Sequence, residues 1–149
     1  MTTSSKSADA AAIRALIDKR VEALRAKDAD GVVAGYAPKV VPFTLAPPLQ
    51  QAGDKARAKE GLKAWFATWS GPLGYETRDL SVTVGGEVAF CLGFVRISGT
   101  KTDGKKEDVW ARQTLCLERL GGAWKIVHEH ISVPFYMDGS VKAAVDLKP

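Results

Sequence analysis

The sequence predicts an α+β domain in which three N-terminal helices pack on an antiparallel β-meander. Three observations predict it. In the first half Ile13, Leu16, Ile17, Val21 and Leu24 recur at helical spacing and form one apolar stripe. In the second half four strand-like runs, about 75–84, 87–98, 108–120 and 124–133, carry no helical period. Gly85-Gly86, the Gly99-to-Gly104 turn and Gly121-Gly122 separate those runs, and short glycine turns join antiparallel neighbours. Helices segregated from strands make an α+β layer fold.

In chain order, residues 1–8 read as a flexible polar tail, 9–138 as the domain and 139–149 as a C-terminal tail. The first helix is expected over about Asp9–Lys27, with Arg14, Lys19, Arg25 and Lys27 outside its apolar stripe. Asp28-Ala29-Asp30-Gly31 breaks it, and Asp30 is placed to cap a short second helix through Tyr36. Pro38 ends that helix. Residues 40–45 form a short strand, which Pro42 assigns to a sheet edge because it lacks a donor. Asp54 starts a third helix, with Leu62, Trp65, Phe66 and Trp69 as an aromatic stripe, and Gly71-Pro72 stops it. The segment after Pro134, with Phe135, Tyr136 and Met137, is expected to fold back over something apolar.

The composition narrows the function classes. A chain of 149 residues can bury a core without a disulfide or metal staple. Cys91 and Cys116 lie inside apolar runs and read as buried free thiols. The net charge of +4 is mild and the basic residues are interspersed with acids, so no nucleic-acid partner is expected. No apolar run is long enough to span a bilayer and the N-terminal residues lack the apolar core of an export signal. The expectation is a cytoplasmic protein with no membrane partner.

The richest stretch is 124–135. In a regular strand His128, His130 and Ser132 share one face with Trp124 and Ile126, while Glu129 points the other way. Ionisable groups among apolar neighbours line either a pocket or an interface. On the preceding strand Arg112 lies between Trp110 and Thr114, and a buried arginine there needs an acid or an anionic ligand. The last hairpin sets its partner. A two-residue Gly121-Gly122 turn brings Thr114 opposite Glu129, and Arg112, Thr114, Glu129 and Ile131 then share a face. A three-residue loop pairs Thr114 with His130 instead. The two-residue turn is preferred because both glycines can take positive φ. It turns Arg112 and Glu129 together toward the helices. His128-x-His130 could supply two metal ligands, but no third stands at a workable spacing, so no metal is expected. No nucleophile motif, phosphate loop or nucleotide fingerprint is present, and no cofactor is expected.

Three helices followed by a four-stranded meander resemble the cone-shaped fold of nuclear transport factor 2 and ketosteroid isomerase. Lys27-Asp28-Ala29-Asp30 with Tyr36-Ala37-Pro38 resembles the joint between the first two helices of the SnoaL-like branch. Trp110-Ala111-Arg112-Gln113-Thr114 and the stretch from Trp124 to Phe135 resemble the last two strands of its ketosteroid isomerase homologues. The resemblance implies a curved sheet, an apolar cavity under the helices, and a homodimer. The three catalytic places of ketosteroid isomerases fall near Thr44, near Arg20, and among Thr114 and Cys116. None matches the aspartate, tyrosine and aspartic acid required, so steroid isomerisation as such is rejected.

What remains is a small-molecule-binding protein, acting as a lyase, isomerase or cyclase on an apolar, oxygenated substrate. His130 or Glu129 would accept a proton, and Arg112 with Thr114 would hold the polar end. Tyr36, Phe43, Trp65, Trp69, Trp110 and His128 would line the ligand site. The alternative is a non-catalytic association or ligand-sensing domain whose sheet face makes a homodimer.

Overall fold

Apolar spacing in the N-terminal segment makes a helix that can bury one stripe. In the computed structural model, which describes residues 2–51 and 53–149, this helix, α1, spans Thr3–Arg25. It begins earlier than its apolar stripe because Thr2 caps it, accepting from the Ser5 amide. Ile13, Ile17, Val21 and Leu24 face inward. Asp9 and Arg20 share that buried side, four residues before Ile13 and three after Ile17.

Asp28, rather than Asp30, caps α2 (Ala29–Ala34), accepting from the Gly31 amide at 3.0 Å. Asp30 instead pairs with Lys59. The second helix therefore stops short, and Tyr36 and Pro38 belong to β1 (Tyr36–Phe43). Asp54 caps α3 (Lys55–Ala67). This helix ends before Trp69 because both the amide and the hydroxyl of Thr68 turn back to the Trp65 carbonyl. Trp69 opens β2 (Trp69–Gly85), followed by β3 (Val88–Lys101), β4 (Lys106–Leu120) and β5 (Ala123–Ser132).

The strands form one curved sheet in the order β1-β5-β4-β3-β2. β2 to β5 are an antiparallel meander, and β1 joins the edge parallel to β5. The inner face meets α1, and fully buried Ile13, Ile17, Val95, Leu115, Leu117 and Ile126 form its centre. Each such side chain contributes about 1.5–3 kcal/mol from burial. The other edge, β2, would expose carbonyls along α1. Arg14, Arg25 and Lys27 donate to the carbonyls of Leu80, Tyr75 and Trp69, at 3.1, 2.7 and 2.9 Å. Basic residues outside the apolar stripe thus tie the helix to a strand edge that would otherwise invite another chain.

A second clamp fixes the start of α1. The Trp124 indole N–H donates to Asp9 at 3.2 Å, Arg119 pairs with the same carboxylate at 2.7 Å, and the guanidinium lies 4.6 Å above the Trp124 ring. The hydrogen bond from Arg119 holds the Asp9 carboxyl below its ordinary value of 3.8, with Trp124 adding to it against partial desolvation. A depressed folded-state pKa gives stability that is present above the ordinary value and lost as pH falls through the folded one. Asp9→Asn is therefore expected to lower the melting temperature at neutral pH, with the gap to wild type closing in acid. A gap that persists unchanged into strong acid would contradict this clamp.

The last hairpin combines both loop expectations. Leu120 pairs with Ala123, and Gly121 and Gly122 take φ of 57° and 81°, so the turn has two residues. Yet Thr114 pairs with His130 and Arg112 with Ser132. The register slips between Cys116 and Leu117: Leu117 faces Ile126, Cys116 faces His128, and Val127 has no opposite residue. This bulge reverses the alternation within β5. Trp124 and Ile126 point inward, and so do Glu129 and Ile131, while His128 and His130 point outward.

After Ser132 the chain turns back through a bridge between Phe135 and Ala143. Ala144 is the residue buried there, while Phe135 and Met137 are exposed, so the aromatic end of the tail does not cover the core as expected. Among the described residues, no helix is long and apolar enough to cross a membrane.

Candidate functional site

Inward-facing side chains between the helices and the sheet leave a cavity of about 340 Å³. Its walls are apolar, from Leu24 of α1, Leu62 and Trp65 of α3, Ile97 of β3 and Ile131 of β5. Its buried end is polar, with Arg20, Tyr36, Tyr75 and Glu129. Its open end is the exposed loop after β1, where Leu45, Ala46 and Gln51 face Arg57 and Gly61 of α3. An apolar cleft with a few convergent polar groups is the usual form of a small-molecule site.

Each floor residue is placed by an element already described. Arg20 is carried inward by the α1 stripe, Tyr36 by the first residue of β1, and Glu129 by the bulge in β5. Arg20 Nη2 donates to Glu129 Oε2 and, at 3.3 Å, to the Tyr36 hydroxyl, which donates in turn to Glu129 Oε2 at 3.3 Å. Gln113 donates to the Tyr75 hydroxyl at 3.2 Å. Glu129 Oε1 takes no part in these bonds, and Arg20 Nε and Nη1 are buried without a hydrogen-bond partner. Buried donors left unpaired are uncommon and point to an acceptor that completes the site.

The surroundings fix the charge states. Burial pushes the Tyr36 phenol up, with the Glu129 charge adding to it against Arg20, so the hydroxyl keeps its proton at neutral pH. Burial raises Tyr75 in the same way. Burial alone would lower Arg20, but Glu129 and the two tyrosines reverse this and hold the guanidinium charged.

The mouth is held by Gln51, whose side-chain amide donates to the Thr44 hydroxyl and to the carbonyls of Ala46 and Pro47 at 3.2–3.3 Å. Opposite it, Gly61 sits in the middle of α3 with open space where a Cβ would stand. Glycine in a helix interior costs about 1 kcal/mol relative to alanine. Here its missing side chain widens the entrance.

The expected site residues separate into three groups. Tyr36, Trp65 and Glu129 line the cavity. Arg112, Thr114, Trp110, His128, His130 and Phe43 do not, because they alternate onto the outer face of the sheet. Arg112 is exposed and lies across from Ser132, so it is not the partner of Glu129. Trp110 is buried on the outer side beneath Arg78, whose guanidinium lies 4.5 Å from its ring centroid. His128 sets Nδ1 2.6 Å from the Val41 carbonyl, and Phe43 packs edge-on against both histidines at 4.8 and 5.6 Å. Trp69 is core: its ring lies on Gly99, meets Trp65 edge-on at 5.8 Å and carries Lys101 Nζ at 3.8 Å. Among the described residues, no three His, Cys, Asp or Glu side chains gather to hold a metal ion.

Arg20 and Tyr75 of the cavity floor, and Gln113 bonded to Tyr75, are residues that the sequence pattern does not single out as site residues. The signal for Arg20 was its place on the apolar stripe of α1. Tyr75 and Gln113 carried no signal apart from strand phase. Of the places implied by the resemblance, Thr44 and Arg20 do line the cavity. Thr114 and Cys116 face away, and Gln113 and Leu115 point inward in their stead.

Residues 13–136 match the sequence profile of the SnoaL-like domain. No curated protein matches the chain. Among solved structures, an NTF2-like protein of unknown function from Pseudomonas putida KT2440 is 32% identical, with a TM-score of 0.85 over 100% of this chain and 99% of that one. A ketosteroid isomerase-like protein from Erwinia carotovora atroseptica is 21% identical, covering 83% of this chain and 95% of that one at a TM-score of 0.71. A proposed scytalone dehydratase from Novosphingobium aromaticivorans is 15% identical, covering 92% and 91% at a TM-score of 0.75. The last two likenesses establish the cone-shaped fold.

Proposed function

This chain belongs to the SnoaL-like domain family, and we propose that it binds an apolar, oxygen-bearing small molecule and moves a proton at the oxygen-bearing end, as a lyase or isomerase does. One observation carries this reading. The apolar cavity ends on a buried Arg20–Glu129–Tyr36 cluster in which Glu129 Oε1 is uncommitted and Arg20 keeps donors without partners. In the proposed chemistry Glu129 Oε1 accepts a proton from the carbon next to the ligand's carbonyl group, and the electron pair left behind passes to the carbonyl oxygen. The Arg20 guanidinium, with a protonated tyrosine hydroxyl beside it, stabilises the negative charge that develops on that oxygen. Trp65 and Leu62 hold the apolar body.

Hydrogen–deuterium exchange at the α-carbon of 2-tetralone, followed by NMR in deuterated buffer, tests this role. Wild type is expected to accelerate exchange over buffer, and Glu129→Gln to abolish the acceleration. Equal exchange with both proteins would remove Glu129 as the base. Binding of the ketone without any exchange would leave a ligand-sensing domain.

We also propose that a second copy covers the outer face of the sheet. All three helices lie on the inner face, and β3 presents Val88, Phe90 and Leu92 outward in a row at 56%, 46% and 46% exposure. Sedimentation at micromolar concentration is expected to give a dimer, and Phe90→Lys/Leu92→Lys a monomer. A wild-type monomer would remove this partner.

A further inference from the structure

The floor of the cavity holds one buried cation and one buried anion, with side chains only 4% and 10% exposed, and the other charged lining residue, Arg57, lies exposed at the mouth. We propose that Glu129 is the residue that sets the charge specificity of the cavity: by balancing Arg20 it admits ligands whose oxygen-bearing end is neutral, a ketone or an alcohol, and rejects the same skeleton ending in a carboxylate. This rests on the binding function proposed above and adds a selectivity to it.

Charge balance decides at this floor, because both charged side chains are buried. A neutral oxygen arriving at the floor can accept from the unpartnered Arg20 donors and leaves the net charge at zero. A carboxylate in the same position would make two anions for one cation and would face Glu129 as a like charge. The two floor tyrosines cannot restore the balance, since burial keeps both in the neutral protonated form. An uncompensated buried charge is strongly unfavourable, whereas a paired and hydrogen-bonded one is tolerated. Removing the charge of Glu129 inverts the situation. Arg20 would then be the uncompensated group, and a ligand carboxylate would be its missing counterion. The selectivity should therefore reverse rather than merely weaken, which a shape-based preference would not do.

The isosteric pair 2-acetylnaphthalene and 2-naphthoate, neutral and anionic at neutral pH, isolates this effect. Isothermal titration of each into wild type and Glu129→Gln is the experiment, with circular dichroism confirming the fold. Wild type is expected to bind the ketone at least about tenfold more tightly than the acid, and Glu129→Gln to bind the acid more tightly than the ketone. Wild type binding both equally, or preferring the acid, would overturn the proposal without touching the binding function. A folded Gln variant that keeps the wild-type order would do the same. Failure of both compounds to bind both proteins would bring down the binding function and this selectivity together. If Glu129→Gln does not fold, the wild-type order alone decides.

Discussion

Replacing Arg20 with methionine is expected to lower the free energy of unfolding by about 3–5 kcal/mol, since it leaves the buried Glu129 carboxylate without its counterion. Glu129→Gln should also destabilise strongly, because the Arg20 guanidinium is the more deeply buried partner. The double variant Arg20→Met/Glu129→Gln is expected to recover much of the loss, since it leaves neither charge unpaired. Urea unfolding of the four proteins at neutral pH gives the interaction energy directly. Additive losses would mean that the two groups do not compensate each other, and would remove the physical basis assigned to the cavity floor.

Trp69→Ala is expected to cost about 3–5 kcal/mol, the range for removing a large buried aromatic. Its ring fills the space over Gly99, where φ is 150° and a Cβ would meet the ring atoms at 3.1–3.2 Å. The substitution therefore opens a cavity that the strands cannot close. Trp65 is half-buried and faces the ligand cavity, so Trp65→Ala should cost less stability and more ligand affinity. Melting temperatures and ligand titrations on the two variants separate these roles. A stable Trp69→Ala protein that loses ligand would return Trp69 to the cavity wall.

The arrangement of elements was legible because period and turn chemistry agreed. The apolar stripe of α1, the glycine turns and the two-residue Gly121-Gly122 hairpin all point to helices followed by a meander, and the family profile and solved structures bear out the cone-shaped fold. The site was legible only in part, for a specific reason. Alternation along β5 puts Glu129 opposite to Ile126, whereas the bulge at Val127 brings both inward. A bulge adds one residue without a strong local sequence mark, and one residue is enough to exchange the faces of everything after it. Without the bulge a two-residue turn puts Arg112 and Glu129 on one face and the histidine pair on the other, whereas the bulged register leaves Glu129 inside and puts Arg112 on the outer face with the histidines. The true partner, Arg20, lies 109 residues away in sequence on α1. Its only local sign is a basic residue at an inward position of an apolar stripe. The spacing of Trp69 from Trp65 and Phe66 fits a helix, but the Thr68 hydrogen bonds end α3 before the stripe does.

The central claim is that the cavity under α3 is a ligand site entered past Gly61. A thermal-shift screen of neutral polycyclic ketones and phenols against wild type and Gly61→Phe tests it most directly, because the new ring would stand in the open entrance without disturbing the buried floor. The expected result is a set of compounds that raise the wild-type melting temperature and leave that of a folded Gly61→Phe protein unchanged. An absence of any wild-type shift, or shifts of equal size in both proteins, would contradict the claim.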